Sequence, residues 1–580
     1  MPENEEKILV LEEICIKIID FFFNMKFFAN HRVQKKIYKL SPSLLSTEAN
    51  IIIYITRPEI EFIEQIEEQM KLIYEEKKSE GEDKEKEYHC IFISKITNEC
   101  QEYLSKSEYK DKLIIHCLNI EIFPLDYDLL SMEDPNSFKD IFIEENYSSL
   151  QKLSKIIVKF KNMYGKYNNI YIKGKYAKIL SDLVKKDEDI YGVKNNNNIL
   201  SCIFMDRSVD YITPFLTQFI YEGLIDEHFE RQYNCVKIDP EILDKPSTDP
   251  KVIIDLSKQV RLYTMIKDYN FVKICKFLPR RLALHKEIFL KIRAATEINE
   301  IKENLVYLSQ VKNESNCIHT HIGLASYINN IQKNPTYKSF LTIEQRLLQR
   351  EHLNFIENLL QDEISKCSDI DSILKLLCID NLTVGNIKST VYDKLKKDII
   401  TLYGNKERFL FENLEHLKIL QRKPDNKKIY KSILNKLNLI NLDVNVHNPN
   451  DTSYVFGGFS PISIRLIELL LKEGWKANID FLNKIPGTVE LPNNELSMLY
   501  PSKNKNIILL VFVGGITFSE IAAIRYINNH NEKYKFIIIT TIIINPKSFI
   551  NQLRNGRQKE KSDKDKGLVS LSKQLKNLFK

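Results

Sequence analysis

The segment Asp206-Arg-Ser-Val-Asp210 sets two carboxylates beside a guanidinium, just after the apolar run 199–205 that reads as a strand. Paired carboxylates can serve as general acid and base, and open α/β sheets bind ligands where their strands end. No histidine, serine elbow or metal-spaced cluster accompanies this pair in sequence. An ion pair that holds the loop to a helix begun at Thr213-Pro214 fits better, because proline suits a first helical turn. The segment Val511-Phe-Val-Gly-Gly-Ile-Thr-Phe-Ser-Glu520 also invites a ligand, since a strand runs through Gly514 and Gly515 into a helix. It has neither phosphate-loop nor dinucleotide spacing. Thr517 and Glu520 match a capping box, which satisfies the free N–H groups of that helix. Glu520 would also place a negative charge where a phosphate would sit, against about half a unit of positive charge from the helix dipole. A tight strand-to-helix turn is predicted.

Other chemistry is thinner. His319 and His321 alternate, and alternate residues of a helix do not share a face, so a zinc pair is not expected. His228 has no partner nearby in sequence. The stretch Gly457-Gly-Phe-Ser-Pro461 is only loosely like a nucleophile elbow and ends in proline. No catalytic residue, metal ligand or cofactor site emerges.

The elements that would position these groups follow from hydrophobic period. Ile51–Thr56 is a β-branched run stopped by Arg57-Pro58, and 90–94 and 113–117 read as further strands. The charged segment 75–87 has too little apolar content to pack and reads as a loop. A second α/β unit begins near Tyr147, with strands at 170–173 and 199–205. From about 250 to 420 helical periodicity takes over and strand runs vanish. Within it Thr342-Ile-Glu-Gln345 reads as a capping box before apolar positions at helical spacing. Strand runs return at 507–513 and 536–544. That order predicts an α/β fold with an inserted all-α domain, one α/β domain being discontinuous in sequence.

The chain has 580 residues, too many for one core. Hydrophobic residues make up 43% and charged ones 28%, and a net charge of +6 is spread thinly, so no nucleic-acid partner is expected. The ten cysteines never take C-x-x-C spacing, which suits a reducing compartment. The first residues are acidic where a secretory signal is basic. The apolar runs 507–516 and 536–544 are shorter than the roughly 20 residues that cross a bilayer, so membrane association is expected to be mainly indirect. The basic end, Leu568–Lys580, could form an amphipathic helix for a membrane surface or partner; a frayed terminal helix is the plainer reading.

These segments together resemble the SM (Sec/Munc) family, in its vacuolar protein sorting branch. The resemblance rests on Asp206-Arg-Ser-Val-Asp210 with Thr213-Pro214, and on Tyr221-Glu-Gly-Leu-Ile-Asp-Glu227. Tyr54–Pro58, Phe123–Glu133, Asp268–Phe271, Leu374–Cys378, Asp451–Pro461 and Phe512–Arg525 extend it along the chain in order. Lys375 departs from the family's usual arginine, and Asn545-Pro546 from its Asn-Gly turn.

The resemblance implies a non-catalytic, three-domain arch. Domain 1 would span 1–134, domain 2 would be split between 135–250 and 478–580, and a helical third domain would divide into 251–365 and 366–477. It implies SNARE proteins as partners, with vacuolar protein sorting-associated protein 16 and other subunits of a HOPS or CORVET tether. The chain would then be cytoplasmic, at the surface of endosomal, lysosomal or vacuolar membranes. Ile322, Leu324, Tyr327, Ile328, Tyr337 and Phe340 are the candidates for a SNARE-binding groove. Tyr454, Phe456, Phe459 and Pro461 are the candidates for the tether contact. Asp206, Arg207, Asp210, Thr213, Pro214, Glu222, Gly223, Gly514, Gly515, Thr517 and Glu520 would form the structural motif. Two other readings stay open: a stand-alone SM protein that clamps a syntaxin on a secretory route, and an α/β nucleotide-binding enzyme.

Overall fold

A computed structural model describes residues 6–554 except 13–14, 17–18, 20–32, 44–48, 81–85, 94–95, 119, 166, 193–198, 244–250, 257–259, 294–297, 425–426 and 493–505. The amphipathic end 568–580 and the four consecutive asparagines Asn195–Asn198 lie outside the described residues. The chain forms two compact units.

The first unit gathers 1–133, 224–329 and 537–539. Its main sheet has five parallel strands: β1 (Lys7–Leu11), β2 (Val33–Lys39), β3 (Ile51–Thr56), β4 (Glu87–Phe92) and β5 (Leu113–Cys117), in the order β2-β1-β3-β4-β5. All six residues of β3 are buried, as a central parallel strand with both faces covered requires. Helix Ile60–Glu80 lays Ile63, Ile66, Met70 and Ile73 on one face of this sheet, a 3-4-3 spacing that keeps them on a single stripe. Each buried side chain of that size contributes about 1.5–3 kcal/mol. The helix continues to Glu80, so the start of the charged segment expected as a loop is helical: its apolar residues upstream anchor it.

The later part of this unit holds an antiparallel sheet of Glu230–Gln232, Cys235–Ile238 and Val252–Asp255. A strand therefore persists just beyond 250, where strands were expected to end. Helices Val260–Ile266, Phe271–Arg293 and Ile298–Gln332 follow. Arg281 and His285 on the second both reach Glu314 on the third, at 2.7 and 3.2 Å. At Gly323 a Cβ would fall 2.4 Å from the Ile242 carbonyl oxygen, so the backbone can approach only a glycine there.

The second unit gathers 134–223, 330–536 and 540–580. Its sheet strands run in the order Val489–Glu490, Tyr167–Lys173, Ile199–Asp206, Asn506–Val513 and Tyr534–Thr540. Ile199–Asp206 pairs in parallel with Tyr167–Lys173 on one side and with Asn506–Val513 on the other. The last of these is some three hundred residues downstream, so the sheet is completed only after a long helical insertion. Ile508 to Val511 are wholly buried. Helices Ser148–Tyr164 and Lys175–Tyr191 flank this sheet's strands in sequence, and the helical part runs from Pro335–Leu348 to Lys427–Lys436. Helix Ile370–Thr383 is buried almost all round, the mark of a helix at the centre of its layer. Among the described residues no helix is long and apolar enough to cross a membrane.

Candidate functional site

Parallel pairing of Val513 with Asp206 brings the two glycine- and carboxylate-bearing loops to one edge of the second unit's sheet. Doubly wound folds bind ligands at this edge. Here the chain fills it. Asp206 accepts from the backbone N–H of Tyr176 at 2.7 Å and Ala177 at 3.1 Å, the open N-terminus of helix Lys175–Tyr191. The Ser208 N–H, at 3.0 Å, and the Ser208 hydroxyl donate to its other oxygen. Burial pushes the Asp206 carboxyl above the usual carboxylate range, and these four donors pull against that rise. Gly174 opens the helix with φ +123°, and a Cβ there would meet the Asp206 carboxylate at 2.2 Å. The carboxylate thus stands where a bound anion would stand.

The neighbouring helix, Phe518–Asn529, is closed the same way. Its capping box is present: Thr517 Oγ1 accepts from the Glu520 N–H at 3.2 Å, and Glu520 accepts from the Thr517 N–H at 3.0 Å. Glu520 also takes a two-pronged pair from Arg207, at 2.9 and 3.0 Å, and the Ser463 hydroxyl. Desolvation lowers and Glu520 raises the Arg207 pKa, and the net direction is up. Asp210 lies 3.8 Å from the same guanidinium. It caps the next turn by accepting from the N–H groups of Ile212, Thr213 and Ile462, each at 3.0 Å. Two glycines make room for this cluster. At Gly514, with φ +87°, a Cβ would fall 2.5 Å from the Phe142 ring, and at Gly515 it would press on Ile544.

The belt continues to Gly223. Thr213-Pro214 forms one turn of 3₁₀ helix, ending at Phe215, and not the helix start expected; the α-helix begins at Tyr221. The reason is Asp210, which takes the first N–H groups and turns the chain. The Thr217 N–H and hydroxyl donate to Glu344 at 2.8 and 3.0 Å, and Lys375 pairs with Glu344 at 3.0 Å. Glu344 sits on a helix capped by Asn334, so the pattern at Thr342–Gln345 is mid-helix: Thr342 Oγ1 bonds back to the Lys338 carbonyl. Gln218 accepts from the Ser519 N–H at 2.9 Å, and Glu222 lies 3.5 Å from Arg525. Sequence reading placed Asp206, Arg207 and Asp210 together but missed Glu520 as the partner and Ser463, Glu344 and Lys375 as supports. Glu344 left a signal: it lies between Ile343 and Leu347 on the buried face, where a charge needs a partner.

The tether candidates pack beneath this belt. Tyr454, Phe456, Phe459 and Pro461 are all buried. The Tyr454 hydroxyl donates to the Ala522 carbonyl at 3.4 Å, and the Phe219 N–H donates to the Val455 carbonyl at 3.1 Å. Gly457, at φ +62°, lies under the Phe219 ring. These side chains hold the loop's shape and offer a partner no surface in this conformation. Leu442, whose side chain lies over Gly458, is 66% exposed.

The groove candidates fall in both units, four in the first and two in the second. Leu324 and Ile328 are wholly buried and serve as core. Tyr327 is 37% exposed and tilts against Phe229, with centroids 5.1 Å apart; Ile322, Tyr337 and Phe340 are half-buried. His319 is exposed, whereas His321 is buried and stacks on Tyr263, so the two do not converge. Burial pushes the His321 pKa down to about 3. Sequence reading passed over helix Phe271–Arg293, on which Val272, Leu284 and Leu290 are 48%, 45% and 66% exposed; Val272 and Leu290 share one side of the helix, and Leu284 lies about 120° round from them. No group of three or more metal-ligating side chains occurs among the described residues.

The Sec1 family matches residues 7–552. The chain belongs to that family, the SM proteins. Vacuolar protein sorting-associated protein 33A of Rattus norvegicus is 27% identical over 547 residues, 90% of each chain. The vacuolar protein-sorting-associated protein 33 homolog of Arabidopsis thaliana is 25% identical over 88% of each. Among solved structures, the Unc18–syntaxin 1 complex of Monosiga brevicollis aligns with TM-score 0.61 at 14% identity, covering 96% of both chains. The SM protein Vps45 in complex with the Qa SNARE Tlg2 aligns with TM-score 0.60 at 15% identity over 95% and 94%. The fold of this SM protein is thus that of its family: two α/β parts with a helical insertion.

Proposed function

We propose that this SM protein binds SNARE proteins and templates their assembly as a subunit of a class C tethering complex of HOPS or CORVET type, at endosomal, lysosomal or vacuolar membranes. The observation that carries this reading is the near end-to-end likeness to vacuolar protein sorting-associated 33 proteins. The SNARE-bound SM structures of the same fold support it. The self-filled sheet edge supports a non-catalytic role, since a substrate would have to displace Asp206 or Glu520 from buried partners.

The physical task is entropic. A free SNARE segment loses about 1 kcal/mol or more per residue on ordering, before coiled-coil pairing rewards it. A surface that holds one helix in register meets that loss in advance. Helix Phe271–Arg293 exposes Val272, Leu284 and Leu290 on such a surface. Tyr327, Tyr337 and Phe340 remain accessible groove candidates, with Leu324 and Ile328 as the core behind the first. Vacuolar protein sorting-associated protein 16 is the proposed tether partner, and Leu442 the apolar group it meets beside the 451–461 loop. Pull-down from native cells followed by mass spectrometry tests the reading. Recovery of tether subunits together with SNAREs supports it; a lone closed syntaxin indicates a stand-alone clamp; recovery of neither overturns it.

A further inference from the structure

The outer strand of the first unit's sheet carries a chain of titratable groups that no part of the SM reading uses. Side chains alternate along β4, so Tyr88, Cys90 and Phe92 enter the core under helices Ile60–Glu80 and Asn98–Lys106, while Glu87, His89 and Ile91 face the opposite side. β5 pairs in parallel, with His89 opposite Ile114 and Ile91 opposite His116, so the two histidines are diagonal neighbours on that side. His89 Nδ1 lies 3.0 Å from His116 Nε2, and the ring centroids are 5.3 Å apart with planes 24° apart. The difference between 5.3 and 3.0 Å is two ring radii, so the nitrogens meet head-on with one proton between them. On the far side His89 Nε2 lies 2.8 Å from Glu87 Oε1.

That arrangement fixes the tautomers. The Glu87 carboxylate, 2.8 Å from Nε2 but off the line of a hydrogen bond, favours by its charge the tautomer with the proton on Nε2. Nδ1 is then the acceptor, and His116 Nε2–H donates to it. His89 is buried and His116 exposed. Among the described residues, the other charged groups in register on this side are Lys7, in the row Lys7–Ile51–Glu87, and Lys39, at the far end of the row Lys39–Leu11–Ile55–Ile91–His116. The row through His89 contains Leu9, Ile53 and Ile114, none of them charged.

We propose that Glu87, His89 and His116 form a proton-sensitive clasp that fastens edge strand β5 to β4 while His89 is neutral and releases it when His89 is protonated. A proton on His89 Nδ1 puts two N–H groups head-on and removes the acceptor that His116 needs. His89 is the group that decides, because its Nδ1 is the acceptor in the contact. Burial keeps His89 below the ordinary imidazole value of 6.5, against the pull of Glu87. A base whose folded pKa is depressed supports the fold fully above 6.5 and loses that support as pH falls below it. β5 is suited to such release because it has one neighbour only, and Ile114, Ile115 and Leu118 are already 43%, 40% and 41% exposed.

Hydrogen exchange of the full chain, corrected for intrinsic rate, tests this at pH 7.5, 6.5 and 5.5. The β5 amides of wild type lose protection toward low pH by up to about tenfold per unit, one proton's worth, while β1 and β3 hold theirs. In His116→Asn, whose shorter side chain cannot reach His89 Nδ1, the protection of β5 at pH 7.5 is lower than in wild type. The clasp is overturned by β5 protection that is flat from pH 7.5 to 5.5, or by β5 protection at pH 7.5 that H116N leaves unchanged. Histidine-selective ¹⁵N spectra of wild type decide the matter if H116N does not fold: neutral His89 with its proton on Nε2 at pH 7 supports the clasp, and any other state of that ring excludes it.

Discussion

The belt from Asp206 to Gly223 and the helix Phe271–Arg293 solve opposite problems. The belt buries charge and satisfies each of its key carboxylates with donors from distant parts of the chain. The helix leaves apolar side chains partly in water at Val272, Leu284 and Leu290. A fully paired charged edge is closed to ligands; exposed apolar side chains leave room for a partner. The contrast gives the first region a part in stability and makes the second the surface on which the proposed SNARE contact rests.

The sharpest way to break that contrast is Arg207→Met. It leaves Glu520 and Asp210 buried without their cation and costs about 3–5 kcal/mol by chemical denaturation. Adding Glu520→Gln keeps a capping acceptor without the charge and recovers on the order of half of that loss. A loss below 1 kcal/mol in the single variant would remove the belt from the stability ledger. Gly514→Ala comes next, at about 2 kcal/mol, because an alanine must take a positive φ against the Phe142 ring. Thermal melting against Gly→Ala at exposed Gly192, where nothing lies within 4 Å of a Cβ, separates crowding from backbone strain.

His321 supplies a smaller effect. Its folded pKa of about 3 lies below the ordinary 6.5, so folding stability is complete above 6.5 and falls as pH drops toward 3. The slope is about 1.4 kcal/mol per pH unit, and His321→Phe flattens the urea midpoint between pH 6.5 and 5 by that amount. An unchanged slope would mean that His321 titrates normally. Least costly to the fold is Leu290→Asp, within about 0.5 kcal/mol because the side chain is in water already. Its expected consequence is loss of SNARE capture with tether recovery intact; undiminished capture would take this face out of the binding surface.

The fold was legible wherever period and composition agreed. The runs at 51–56, 199–205 and 507–513 are rich in apolar residues, and each is a strand, buried at 51–56, 201–205 and 508–513. The return of strands after a long helical stretch exposed the discontinuous sheet. Local signals misled where tertiary partners decide. Thr342 has the letters of a cap, yet Asn334 starts the helix eight residues earlier. Thr213-Pro214 has the letters of a helix start, yet Asp210 takes the N–H groups and turns the chain. Of the candidate site, the sequence showed the residue types at 206–210 and 514–520 but not their mutual pairing, because 313 residues separate Arg207 from Glu520. Aromatic density around Tyr454 suited an interface contact or a packed turn equally, and period cannot distinguish an anchor from a plug; the side chains are buried.

The Asp206 carboxylate at the start of helix Lys175–Tyr191 has a consequence for timing. Many folds of this architecture change state when a small molecule arrives at that edge or leaves it. Here the occupant is covalently part of the chain and its concentration never varies, so metabolite levels give this edge no clock. A signal that schedules the protein's action must act somewhere other than this edge.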